Sequence, residues 1–321
     1  MAASFRKIDY SLRPAKYAER KMFVELLRRL APFQAVEDYS YIGFGSVWFS
    51  DFILFHKTLG IQNMVSIEQS EGSRARFEAN RPFQIRLEFG PASRILPNLN
   101  WQNRAIVWLD YDDPLAASML YDVRTVSTRA KSGSILAVSM QCVKAPALID
   151  YEQEDDPASL CAIDRFRQTF GRERVPDSAS DDDLAGWPYG ALSRTIIKNE
   201  IESALADRNV DPATGLRFLP ICEFEYQDDA RMTTLVGIFV APDEVQTYEA
   251  CSFDRVDFIP IKDKPVRIVM PKLTVRELRH IEQQLPIIDG TELSLGAIPS
   301  SDANQFSRMY RYFPNFAVLD A

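Results

Sequence analysis

The chain has 321 residues, 46% hydrophobic and 26% charged, a balance that supports a sizeable core in one large domain or a domain with an appendage. A net charge of -8 argues against a protein that coats nucleic acid, and four scattered cysteines with two histidines exclude a disulfide framework and a histidine-rich metal site. The start has no apolar leader core and no apolar run is long enough to cross a bilayer, so a cytoplasmic location without a membrane partner is expected.

Residues 15–30 place Met22, Phe23, Leu26, Leu27 and Leu30 at helical spacing, and Pro32 limits that helix. Short apolar runs then alternate with helical patterns, at 39–45, 62–68, 84–90, 105–111 and 134–140. Strands recurring with helices between them imply βαβ units and a parallel sheet. From Lys144 to about Gly215 the strand pattern stops, leaving acidic polar loops and two helical stretches. Two strands at 216–227 and 232–242 form a hairpin around Asp228–Arg231, and residues after Pro265 predict a further strand and a helix opened by a Thr274–Glu277 capping box.

Three strand ends carry the chemistry. The first runs into Gly43-Phe44-Gly45-Ser46, where glycines let a backbone pass close to a ligand at a helix start, or merely turn the chain. The second ends in Glu68, an acid placed where nucleotide-binding α/β folds hold both ribose hydroxyls, although a solvated strand end would read the same. The fourth ends in Asp110-Tyr111-Asp112-Asp113-Pro114. Carboxylates there lie at the ligand-bearing edge, and Asp112 or Asp113 before Pro114 also has the form of a helix cap, leaving Asp110 to face the ligand.

Taken together, these motifs resemble those of class I S-adenosylmethionine-dependent methyltransferases, and the late hairpin is similar to the antiparallel pair that sets that fold apart from dinucleotide dehydrogenases. The resemblance covers about 36–143 and 216–242. It implies that Gly43, Phe44, Gly45 and Ser46 border the methionine part of S-adenosylmethionine, that Glu68 binds its ribose, and that Gln69 and the stretch Gly90, Pro91, Ala92 lie near the adenine. It further implies that Asp110 to Pro114 stand beside the reactive methyl, with Asp110, Asp112 and Asp113 as catalytic candidates. The chain departs from the family pattern at Tyr41, where an acid is common, at Val47, where a third glycine is common, and at Gly90-Pro91, where an acid often meets the adenine.

The expected fold is therefore a Rossmann-like α/β methyltransferase domain with a mostly parallel seven-stranded sheet. An N-terminal helical segment (1–35) precedes the core, a helical insertion spans 144–215, and a C-terminal extension spans 243–321. The expected activity is methyl transfer to an unidentified acceptor; the alternative is a methyltransferase-like binding or assembly subunit. Lys16 or Arg20 could meet the cofactor, although charge at a helix start explains them as well. Trp187 and Tyr189 are candidates for an acceptor wall or for anchoring the helix that follows them, and the aromatic, basic tail at Arg308–Phe313 could pack on the core, on a second copy or on a protein or nucleic-acid partner.

Overall fold

The computed structural model describes residues 13–154, 160–209, 215–260, 264–288 and 291–314. Eight strands form one sheet in the order β3-β2-β1-β4-β5-β7-β6-β8. Along the chain α1 (Pro14–Arg28) is followed by β1 (Ser40–Gly43), α2 (Ser50–Leu59), β2 (Asn63–Glu68), α3 (Arg74–Asn80), β3 (Arg86–Phe89), α4 (Ala92–Ile95), β4 (Ala105–Pro114), α5 (Ala117–Arg129) and β5 (Ile135–Gln141). Then come α6 (Pro146–Glu152), α7 (Ala162–Phe170), α8 (Gly186–Arg208), β6 (Arg217–Gln227), β7 (Arg231–Val240), α9 (Val245–Ala250), β8 (Val266–Ile268), α10 (Val275–Glu282) and α11 (Ser300–Met309).

Only β7 runs against its neighbours, wedged between β5 and β6. The seven strands expected from the sequence gain an eighth, because β8 pairs in parallel with β6 and extends the sheet at that edge. A parallel step from β5 to β6 requires a crossover, and the 23-residue α8 supplies it.

Strands β1, β2, β5 and β7 and the first half of β4 are buried on both faces, which is why they read as largely apolar runs. On β4, Ile106 and Trp108 enter the core layer shared with α1 and α2, while Val107 and Leu109 enter the layer shared with α5 and α8. The same two-residue alternation places Tyr41 under the first layer and Ile42 under the second. Buried Ala15, Ala18, Met22, Phe23, Leu26 and Leu27 hold α1 on the sheet. Its first turn has no cap of its own; instead the carboxylate of Asp228, in the β6–β7 turn, accepts the amides of Ala15 and Lys16 at 3.0 Å each. In the tail, Tyr312 is buried in this same layer and its hydroxyl donates to Asp257 at 2.9 Å, while Phe313 packs against Phe306.

Candidate active site

The strand order reverses at β1 and β4, and ligands of open α/β sheets bind in the crevice outside the carboxyl ends at such a point. Gly43, Glu68, Phe89 and the Asp110–Pro114 run all lie at that edge. The β6–β7 turn and the first turn of α1 join them there.

The glycine loop and Glu68 are in direct contact. The amide of Gly45 donates to Glu68 Oε1 at 3.1 Å and to the Ser66 hydroxyl at 3.0 Å, and Ser66 donates to the same Oε1 at 2.6 Å. Oε2 has no hydrogen-bond partner among the described residues. Burial pushes this carboxyl up to about 7, against the opposing pull of the Ser66 and Gly45 hydrogen bonds. A Cβ at Gly45 would stand 2.5 Å from the Phe49 ring and 2.6 Å from the Ser66 hydroxyl, so only glycine fits. The turn that follows does without the family's third glycine: Ser46 and Phe49 themselves adopt left-handed backbone, at φ 49° and 46°.

Where the family commonly has an acid, Tyr41 lies wholly buried beneath Gly43 and donates to Asp51 in the first turn of α2. Burial raises the Asp51 carboxyl, and the buried guanidinium of Arg20 opposes that rise. Beyond β3, the amide of Gly90 donates to the Glu68 carbonyl at 3.0 Å. Pro91 precedes α4, which starts at Ala92, and Gln69 is exposed just beyond β2.

The aspartate run departs from the sequence expectation. Neither Asp112 nor Asp113 caps a helix, because β4 continues to Pro114, beside Gln141 of β5, and α5 starts only at Ala117 with Ala116 at its cap. The three aspartates thus ride on an extended strand end. Asp110 sits at the head, its Oδ1 accepting the Lys16 ammonium at 2.6 Å. Asp112 lies 3.8 Å from the Arg13 guanidinium, and Asp113 is exposed. Between Asp110 and Asp112, Tyr111 packs edge-on against Phe44 of the glycine loop at 5.2 Å and donates to Asp122 at 2.7 Å. Burial pushes the Asp122 carboxyl up to about 6.

Several other assignments change. Lys16 and Arg20 are not helix-start surface charges: they are 2% and 6% exposed, and Lys16 points its ammonium at the active-site edge. Tyr189 is not an acceptor wall. It is fully buried against Phe166, and Trp187 is flanked by the guanidiniums of Arg231 and Arg267 at 5.6 and 4.7 Å. Tyr189→Ala should therefore cost about 3–5 kcal/mol of folding stability, read by denaturant unfolding, through the cavity it leaves. His56 bonds the Ile61 carbonyl at 2.8 Å and His280 the Ser294 carbonyl at 2.7 Å, both as structural groups. Among the described residues no cluster of His, Cys, Asp and Glu could hold a metal, and no helix is long and apolar enough to cross a membrane.

The family model described as "Putative O-methyltransferase" matches residues 8–321. The chain belongs to this family. Its sheet, parallel except for β7, has the α/β form that the strand-end motifs imply. No curated protein matches the sequence. Among solved structures, the chain is similar to an S-adenosylmethionine-dependent methyltransferase from Clostridium acetobutylicum ATCC 824, at 10% identity and a TM-score of 0.40 over 72% of this chain and 92% of that one. It is also similar to LepI in complex with SAM, at 10% identity and a TM-score of 0.35 over 66% of this chain. The chain spans only 46% of that LepI chain. An rRNA methylase from Streptococcus thermophilus aligns at 8% identity and a TM-score of 0.34, over 63% of this chain and 88% of that one.

Proposed function

We propose that this putative O-methyltransferase family member binds S-adenosylmethionine in the crevice between the glycine loop and the β4 end, and passes its methyl to an acceptor oxygen. The observation that carries the reading is the Glu68 carboxylate. One oxygen is fixed by the Gly45 amide and the Ser66 hydroxyl, and the other is free of partners among the described residues, as a ribose-binding acid requires. Gly43, Phe44, Gly45 and Ser46 would border the methionine part, with Gln69, Gly90, Pro91 and Ala92 beside the adenine. S-adenosylmethionine supplies an activated methyl on a sulfonium, so the protein's contribution is chiefly to position the acceptor and take up its proton. Asp110 is the group for that proton, with Asp112 and Asp113 as polar anchors along the same strand end. Tyr111, locked between Phe44 and Asp122, ties the acceptor side of this crevice to the cofactor loop.

Titration calorimetry of the parent protein with S-adenosylmethionine and with S-adenosylhomocysteine tests the reading. Saturable binding of both is expected, together with transfer of label from methyl-tritiated S-adenosylmethionine. Absence of binding would overturn it; binding without transfer to any acceptor would favour a sensor or assembly subunit instead.

A further inference from the structure

Lys16 is the least exposed cation in the crevice wall, and every contact it makes leads to Asp110 or back to the sheet. Its ammonium lies 2.6 Å from Asp110 Oδ1 and 2.8 Å from Glu19 Oε2, and it sits over the Trp108 ring at 4.4 Å and the Tyr226 ring at 5.6 Å from their centroids. Glu19 is itself tied down, since Thr234 of β7 donates to its other oxygen. Thr234 bonds Ser139 of β5 at 2.8 Å, and Ser139 accepts the Trp108 indole at 2.8 Å. Trp108 is two residues from Asp110 on β4. The contacts thus close a ring: Asp110, Lys16, Glu19, Thr234, Ser139, Trp108 and back along the strand.

Burying an ammonium and a carboxylate in this way is a poor route to stability, because well-packed apolar side chains of similar volume serve as well or better. What the ring does achieve is geometric. It fixes one oxygen of a carboxylate that is 21% exposed at the ligand edge and leaves Oδ2 without a partner among the described residues. We propose that Lys16 is a positioning residue, clamping Oδ1 of Asp110 so that Oδ2 meets the acceptor hydroxyl, which makes the first turn of α1 part of the catalytic apparatus. The inference rests on the reading of Asp110 given above. In it, the acceptor oxygen bonds the methyl as the methyl–sulfonium bond breaks, its proton passes to Oδ2 and leaves to solvent with the products, and Lys16 takes no part in the transfer. The Asp228 carboxylate contributes by holding the Lys16 amide, so that the side chain leaves the helix at a fixed point.

A double-mutant cycle tests this. Lys16→Met alone strands the Glu19 carboxylate, so all variants carry Glu19→Gln, and melting curves establish that each is folded. Rates of tritiated methyl transfer from saturating S-adenosylmethionine into a soluble cell extract, used as a mixture of acceptors, are compared with calorimetric affinity for S-adenosylmethionine. Lys16→Met should lower the rate about 100-fold, the loss expected of a misplaced reacting group, while cofactor affinity stays within a few-fold. In an Asp110→Asn background the same substitution should change the rate less than threefold, because the group it positions is already gone. Multiplicative losses in the two backgrounds, or an unchanged rate in the Lys16→Met variant, would overturn the proposal. If the parent itself neither binds the cofactor nor transfers label, the underlying function fails rather than the role of Lys16.

Discussion

Replacing Asp110 with asparagine should leave S-adenosylmethionine bound and slow the movement of its methyl by about 10²- to 10⁴-fold, the range of general acid–base contributions. The amide keeps the size of the side chain and an oxygen for the Lys16 ammonium, which also retains Glu19 at 2.8 Å. Stability should therefore fall by only about 1 kcal/mol, the scale of one weakened hydrogen bond. What the amide cannot do is take a proton from an acceptor hydroxyl. Cofactor affinity reports on the glycine loop and Glu68, several residues away on other strands, and should change little. A mutant that transfers methyl at the parental rate would remove Asp110 from the chemistry. A mutant that unfolds would instead mark the Lys16–Asp110 contact as structural.

The motifs that could be read in the sequence are those fixed by strand ends. A glycine pair after one strand, an acid after the next and carboxylates after a central one depend only on local chain order and the parallel topology, and the structure brings Gly45 and Glu68 within hydrogen-bonding distance. What escaped reading depends on packing between distant segments. Asp-Asp-Pro is a good helix start in isolation, yet pairing of Pro114 with Gln141 draws the residues into β4. Lys16 and Glu19 have the look of solvated helix charges, and nothing local announces that β7 supplies Thr234 as a partner 215 residues away. The available signal was their place beside Ala15 and Ala18, on the same face as Met22 and Phe23. Trp187 and Tyr189 flank Pro188, which in isolation reads as a break ahead of the following helix, but proline in a first helical turn is tolerated and α8 begins at Gly186. Tyr41 in the usual acid position is answered by Asp51 from the following helix, a replacement of an acid on the strand by an acid beneath it.

Affinity for S-adenosylmethionine should rise with pH between about 6 and 8, and Glu68→Gln should flatten that dependence while weakening binding by about 1–3 kcal/mol at the upper end. Burial holds the Glu68 carboxyl at about 7, above its ordinary 4.5. Below 7 the folded protein carries it largely neutral, with one oxygen occupied by its own proton; above 7 the carboxylate can accept from two ribose hydroxyls at Oε2 while Oε1 keeps the Gly45 amide. The effect on folding has the opposite sign. A carboxyl with a raised folded value holds its proton longer in the folded state, so its contribution to stability is complete below 4.5 and is lost as pH rises through about 7. The parent without cofactor should lose up to about 3 kcal/mol across that window from this group, and Glu68→Gln should lose none of it. Added S-adenosylmethionine should restore stability most above pH 7, where binding is tightest. Glutamine can keep an oxygen on the Gly45 amide and Ser66 hydroxyl, so the loop should stay formed and the comparison should isolate charge. Melting temperatures and calorimetric affinities measured from pH 5 to 8.5 on both proteins decide the matter. Parallel pH profiles for parent and mutant would show that Glu68 is not the group that the cofactor meets.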